Sequence, residues 1–452
     1  MEFEVSYNLD NEQQFWDELE DIVSASCQTH ELIDNALRSY LSFTTKFKSE
    51  YLQSEYDIAR CTYRLIQGPL FTAHKEYVRR QIVYCLLQED EISILHLTTV
   101  FLLLDGRNDE ETFEMMKTEG AFPRLVELIQ KNDIQEEPRL HRLLLDLMYE
   151  MSRIQRLSWE DLSSVNDAFI TYLFQLIEGV SDDVNDPYHY PVIRVLLVLN
   201  EQYMVASTSP ANRNNAPPPP PMTNRVIKVL SKHGMSYKTF GCNLILLLNR
   251  ESETSLQLLI LKLLYLLFQS RSTAEYFYTN DLHVLLDVIL RNLLDLPLDS
   301  APAAALRHTY LRVLHPLLAN SQIRRPPYYK RDEILKMLHL LTASGTHFAP
   351  VDATTARLAK RCMSVTWLQQ IESEPEAHSR SSSHSDADGG TNSPQTPNSS
   401  QENAIKNGQR ELARRMMGMT VKEGVESANS ISEVASHMEK PGVQTPSRGR
   451  DN

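Results

Sequence analysis

The sequence predicts an all-α fold in which helices stack as repeats, and three observations carry that expectation. The first is an internal copy. Residues 120–129 fall in register with residues 280–289, so that Phe122, Leu125, Val126 and Ile129 match Leu282, Leu285, Leu286 and Ile289 at a helical period. Leu-rich stretches precede both copies (101–104 and 265–268). Leu140, Leu144, Leu145 and Leu147 after one parallel Leu306, Tyr310, Leu311 and Val313 after the other. The second is the scarcity of glycine. Its 14 residues in 452 are roughly 3%, under half the average of about 7%, which disfavours folds that need tight glycine turns. The third is that no segment alternates strictly enough to read as a strand. A repeated multi-helix unit of this kind points to an armadillo- or HEAT-like α-solenoid, an architecture that usually holds partners.

The elements follow in order. Helices are expected near 12–27, 31–51, 54–67, 72–88, 91–105, 109–118, 122–131, 137–155 and 166–180. Phe15, Trp16, Leu19, Ile22 and Val23 form the apolar stripe of the first. Gly68-Pro69, Asp105-Gly106 and Glu119-Gly120 are expected to punctuate this block. Gly120 and Asn280, residue types that tolerate the left-handed conformation, are expected to close the helices before the two copies. A second block is expected near 191–205, 223–233, 239–250, 254–270, 282–294, 302–319, 331–343 and 353–371. An insertion at 207–222 carries Pro217, Pro218, Pro219, Pro220 and Pro221, which cannot continue a helix and favour an exposed polyproline II segment. The folded body is placed at 10–371. The Ser/Asn/Asp/Pro-rich remainder, 372–452, has too few apolar residues to offset the entropy of ordering and is expected to be a disordered tail.

Composition narrows the function. The formal net charge is −14, with no basic tract, which argues against nucleic-acid binding and membrane-surface attraction. The acidic N-terminus, Met1 to Glu4, does not read as a signal peptide. The greasiest stretch, 256–268, is too short to span a bilayer and carries Lys262. Five scattered cysteines build neither a disulfide framework nor a zinc site. The expectation is a reduced, soluble, cytoplasmic protein without a cofactor or metal. No phosphate loop, dinucleotide fingerprint, nucleophile elbow or zinc-protease helix is present, so the chain reads as a binding protein and not an enzyme.

Candidate binding residues cluster late in the body. On the helix expected at 302–319, His308, Arg312 and His315 recur at i, i+4 and i+7 with Arg307 beside them. They should form a cationic ridge opposite the stripe of Leu306, Tyr310, Val313, Leu314 and Leu317. Arg324, Arg325, Lys330 and Arg331 follow, interleaved with Tyr328 and Tyr329. A basic, aromatic cluster on an acidic chain suits an acidic protein partner. The alternative is a solvated face whose arginines pair with nearby carboxylates. Tyr276 and Tyr278 either present aromatic anchors at a groove edge or pack a corner with Asn280 as cap. The proline run suits SH3 domains or profilin, or is a tolerated insertion.

These residues also support a family resemblance. The runs 238–241, 243–245, 248–251, 255–268 and 306–318 resemble the leucine-rich core of the WISH/DIP/SPIN family, most closely from about 190 to 335. The chain looks like a fungal-type member without the SH3 domain of the animal proteins. The resemblance implies an armadillo-repeat factor that activates the Arp2/3 complex without a preformed mother filament. It would touch the actin filament end through that complex, and its linear filaments would seed branched networks at endocytic, cortical actin patches. No verprolin-type or acidic tryptophan-bearing C-terminus is evident, so delivery of actin monomers is not expected. Arp2/3 contact at Arg307, His308, Arg312, His315, Arg324, Arg325, Lys330, Arg331, Tyr276 and Tyr278 rests on charge and periodicity.

Overall fold

Every regular element among the described residues of this computed structural model is a helix. Those residues are 9–208, 222–297, 300–342 and 352–369; the proline run and the tail expected at 372–452 lie outside them. One set of helices forms a row. Glu55–Gln67, Ile92–Asn108, Pro138–Ile154, Tyr190–Thr208, Thr254–Gln269, Ala301–Asn320 and Ala353–Met363 each pack on the next, while the remaining helices cover their sides.

Hydrogen bonds across the seams give the register. Arg107 reaches Glu150, and Gln202 donates to the carbonyl of Ser152. The Asn320 amide donates to the Phe268 carbonyl at 2.9 Å, Cys362 Sγ to Leu311 at 3.4 Å, and Trp367 Nε1 to Leu318 at 2.9 Å. Residue numbers rise together on both sides, so neighbouring row helices run parallel. Partners lie 43 to 52 positions apart, close to the period of HEAT and armadillo units. The separation grows to 61 between Glu201 and Lys262, where the insertion intervenes.

A row helix is flanked on both sides, and this explains why Thr254–Gln269 is apolar nearly all round. Lys262 is buried there because its ammonium meets the buried carboxylate of Glu201 on the preceding row helix. No helix among the described residues is long and apolar enough to cross a membrane.

The expected element order holds, with instructive departures. The stretch expected at 31–51 divides into His30–Lys46 and Lys48–Tyr51, and a short Trp159–Ser164 helix escaped the periodicity because six residues cannot display one. Gly120 adopts the left-handed conformation, φ 76°, and opens Ala121–Ile129 as anticipated. Asn280 does not. It lies in the first turn of Thr279–Asp295, whose N-cap is the extended residue Tyr278. The reversal there is made by turns at 271–275, held by the Thr273 hydroxyl donating to the Leu267 carbonyl at 2.8 Å, so no left-handed residue is needed. Asp105-Gly106 is also not a break: Ile92–Asn108 runs through it. Asp105 is buried against Arg79 at 2.7 Å and accepts from Thr112 at 2.6 Å, while Gly106 leaves room for the ring of Phe113.

Candidate functional site

The late-body cluster is distributed over three places. The first is the interior. Arg307 is only 4% exposed, and its Nη2 donates to the carbonyls of Leu296 and Pro297 at 3.1 and 2.9 Å. It clamps the entry loop to its own helix and is not part of an open ridge. Tyr276 is 4% exposed as well. Its ring lies over Gly234 and Gly241, and its hydroxyl donates to the Tyr237 carbonyl. A Cβ at either glycine would crowd the ring at 3.0 to 3.1 Å, so Tyr276 is a packed corner and not a presented anchor.

The second place is the seam between Ala301–Asn320 and Ala353–Met363. His308, Arg312 and His315 are half-buried here because a parallel row helix lies alongside. His308 Nε2 is 2.7 Å from Asp352 Oδ2 and 3.0 Å from the Thr355 hydroxyl. Asp352 is also the N-cap of Ala353–Met363, accepting from the Thr355 amide at 2.9 Å, so one carboxylate starts that helix and docks it. Burial lowers the proton affinity of His308, against the opposing pull of Asp352. Burial likewise lowers Arg312, reinforced by Arg357, and lowers His315, reinforced by Arg361. The ridge expected on the surface therefore lines a seam, and the neighbouring helix extends its positive charge.

The third place is the surface. Arg324 and Arg325 are exposed, and Arg325 pairs with Glu275 at 2.6 Å. With both partners about half exposed, that pair is worth at most about 1 kcal/mol and leaves the arginine free to exchange partners. Tyr278 is 55% exposed and lies 4.8 Å under the ammonium of Lys238, whose proton affinity burial reduces. Lys330 and Arg331 are more constrained. Lys330 pairs with Asp287 at 2.9 Å; Arg331 donates to the carbonyls of Leu368 and Trp367, tying down the Thr366–Gln369 turn.

Sequence reasoning passed over Arg357, Lys360 and Arg361. They share the outer face of Ala353–Met363, are exposed, and have no ion pair among the described residues. Their i, i+3, i+4 spacing opposite Leu358, Ala359 and Cys362 was readable as a cationic stripe. The preceding helix shows the longer pattern, four Arg and His residues, whereas exposure depends on which helix has a free face.

The SPIN90/Ldb17 leucine-rich domain family matches residues 185–334, nearly the stretch in which the resemblance was strongest. That span holds the Lys238–Tyr278 pair and Arg324–Arg325 but not the Arg357 stripe. Protein dip1 of Schizosaccharomyces pombe is 30% identical over 375 residues, which is 82% of this chain and 98% of that protein. Protein LDB17 of Eremothecium gossypii is 27% identical over 77% of this chain and 80% of its own length. Its Saccharomyces cerevisiae namesake is 25% identical over 81% and 83%. Similarity to dip1 covers 82% of the chain, far more than the leucine-rich core alone, and on that extent the chain belongs to the WISH/DIP/SPIN family, the family of SPIN90 and Ldb17, as a fungal-type member.

Proposed function

We propose that the protein activates the Arp2/3 complex without a preformed mother filament, yielding linear filaments that seed branched networks at cortical, endocytic actin patches. It acts by binding, without a cofactor and without catalysis of its own. Family membership supports the choice of partner. The observation that carries the mechanism is the parallel row with its shared apolar core, whose seams are closed by buried groups such as Lys262 and Glu201. Activation of this kind is a population shift: the activator binds the working arrangement of the complex more tightly than the resting one. Side chains on a row held at fixed spacing can discriminate two arrangements of a large partner, because they cannot follow both.

The contact surface in this reading is the exposed set Tyr278, Arg324 and Arg325 with the half-buried Lys238 beside it, which offers cations and an aromatic face to an acidic partner. The decisive measurement is pyrene-actin assembly with purified protein and Arp2/3 complex and no seed filaments. Acceleration is expected, and its absence across a wide concentration range rejects the reading. The pair Arg324→Glu and Arg325→Glu should weaken Arp2/3 binding by about 1–3 kcal/mol with helical content unchanged. Recruitment of SH3 proteins that vanishes on deletion of residues 217–221, in a protein inert toward actin, would favour an adaptor instead.

A further inference from the structure

The outer stripe of Ala353–Met363 ends on a serine. Arg357, Lys360, Arg361 and Ser364 stand at i, i+3, i+4 and i+7, one face of a helix and its first following turn. Ser364 is the C-cap residue, exposed, with its amide donating to the Lys360 carbonyl at 3.1 Å and its hydroxyl to the Arg361 carbonyl at 2.7 Å. Behind the stripe lie Arg312 and His315 across the seam, and the one carboxylate in that seam, Asp352, is engaged at its far end with His308. A solvent-facing helix surface needs to be polar, yet mixed charges would serve. Here one sign is concentrated on a chain of net charge −14, with no anion among the described residues to pair with it.

We propose that Ser364 is a phosphoryl-acceptor site, and that the phosphate it receives is held by Arg357, Lys360 and Arg361. The γ-phosphoryl group of a nucleoside triphosphate passes to Ser364 Oγ. The bond to the leaving diphosphate breaks, and the hydroxyl proton goes to the base of the transferring enzyme. Two features favour the transfer. Lys360 and Arg361 stand four and three positions before the serine, the spacing by which an acidic substrate groove recognises a basic one. The hydroxyl sits in the turn between Ala353–Met363 and Thr366–Gln369, not within a helix. Once formed, the phosphate meets the negative end of the helix, which opposes it. Three cations within two turns on the same face outweigh that end, since each carries a full charge against a fraction of one. Modification thereby cuts the net charge of this stripe from about +3 to about +1 and occupies its donors.

The test uses the full chain with the catalytic subunit of a basophilic serine kinase, the cyclic-AMP-dependent enzyme, and ATP, with sites mapped by mass spectrometry. Ser364 should take up phosphate, and Arg361→Gln should slow its labelling by at least about tenfold. Ser383, which follows Arg380 at the same spacing and lies outside the described residues, reports kinase competence. A second readout tests the holding. The phosphorus-31 titration midpoint of phosphoserine 364 should fall clearly below the free value of about 6 and return toward it in Arg357→Gln, which leaves the recognition spacing intact. Labelling of Ser383, or of a peptide spanning residues 355–368, while Ser364 in the protein stays bare overturns the site. A midpoint equal to that of the free phosphoserine overturns the role of the stripe.

Discussion

His96 shows how a single side chain can be forced into one protonation state by its surroundings. It is buried on Ile92–Asn108, its Nδ1 lies 3.1 Å from the Lys48 ammonium, and its Nε2 finds no acceptor among the described residues. Nδ1 must therefore accept from Lys48, which leaves the proton on Nε2. Burial, and then the charge of Lys48, pull its pKa down to about 3. An unfolded histidine titrates near 6.5, so between about pH 6.5 and pH 3 the unfolded chain binds a proton that the folded one refuses. Stability contributed at this position is complete above that window and is lost as pH falls through it, by up to about 1.4 kcal/mol per pH unit. His96→Gln should flatten the acid limb of urea-unfolding free energies relative to the wild type; parallel limbs would show that His96 is protonated in the fold. Arg307 and Tyr276 illustrate the same point about reading. Each was a candidate contact in the sequence, and each is committed internally, because a charge or ring that finds its partner inside leaves no trace in composition.

At the level of elements, periodicity was sufficient wherever a helix has one exposed side. Glu12–Val23 buries Phe15, Trp16, Leu19 and Val23 of its expected stripe, with Ile22 partly covered. Punctuation was less dependable. Glycine ends a helix at Gly120, where the chain must turn left-handed, but at Gly106 it makes room for a neighbour. A Cβ at Gly106 would lie 2.4 Å from the Phe113 ring, so Gly106→Ala should destabilise the protein by about 1–3 kcal/mol despite alanine's better helix propensity. Denaturant midpoints would check this, with a stabilised Gly106→Ala variant arguing that the Phe113 ring can simply move. Both roles look alike in sequence, because a close approach is a property of two elements.

The whole molecule is a chain of nearest neighbours, so its stability should be graded along the row. Trp367 closes the last seam: it is buried, stacks on Tyr328 with centroids 5.3 Å apart, and donates to the Leu318 carbonyl. Trp367→Ala should cost about 3–5 kcal/mol locally. Amide exchange should then rise in Ala353–Met363 and Ala301–Asn320 while Ile92–Asn108 keeps its protection. A uniform rise along the chain would mean that the row unfolds as one cooperative unit.

The sequence by itself determined that the chain is helical, that its helices come in related units, and which family it joins, since these follow from local periodicity and from residue identity along the chain. Only the tertiary structure decided which cations face solvent. His308, Arg312 and His315 share a helix at i, i+4 and i+7, spacing suited to a ridge, yet the parallel helix beside them takes that face, and Arg357, Lys360 and Arg361 become the outer surface. Burial is a sum over neighbours some fifty residues away, and no window along one helix contains that sum.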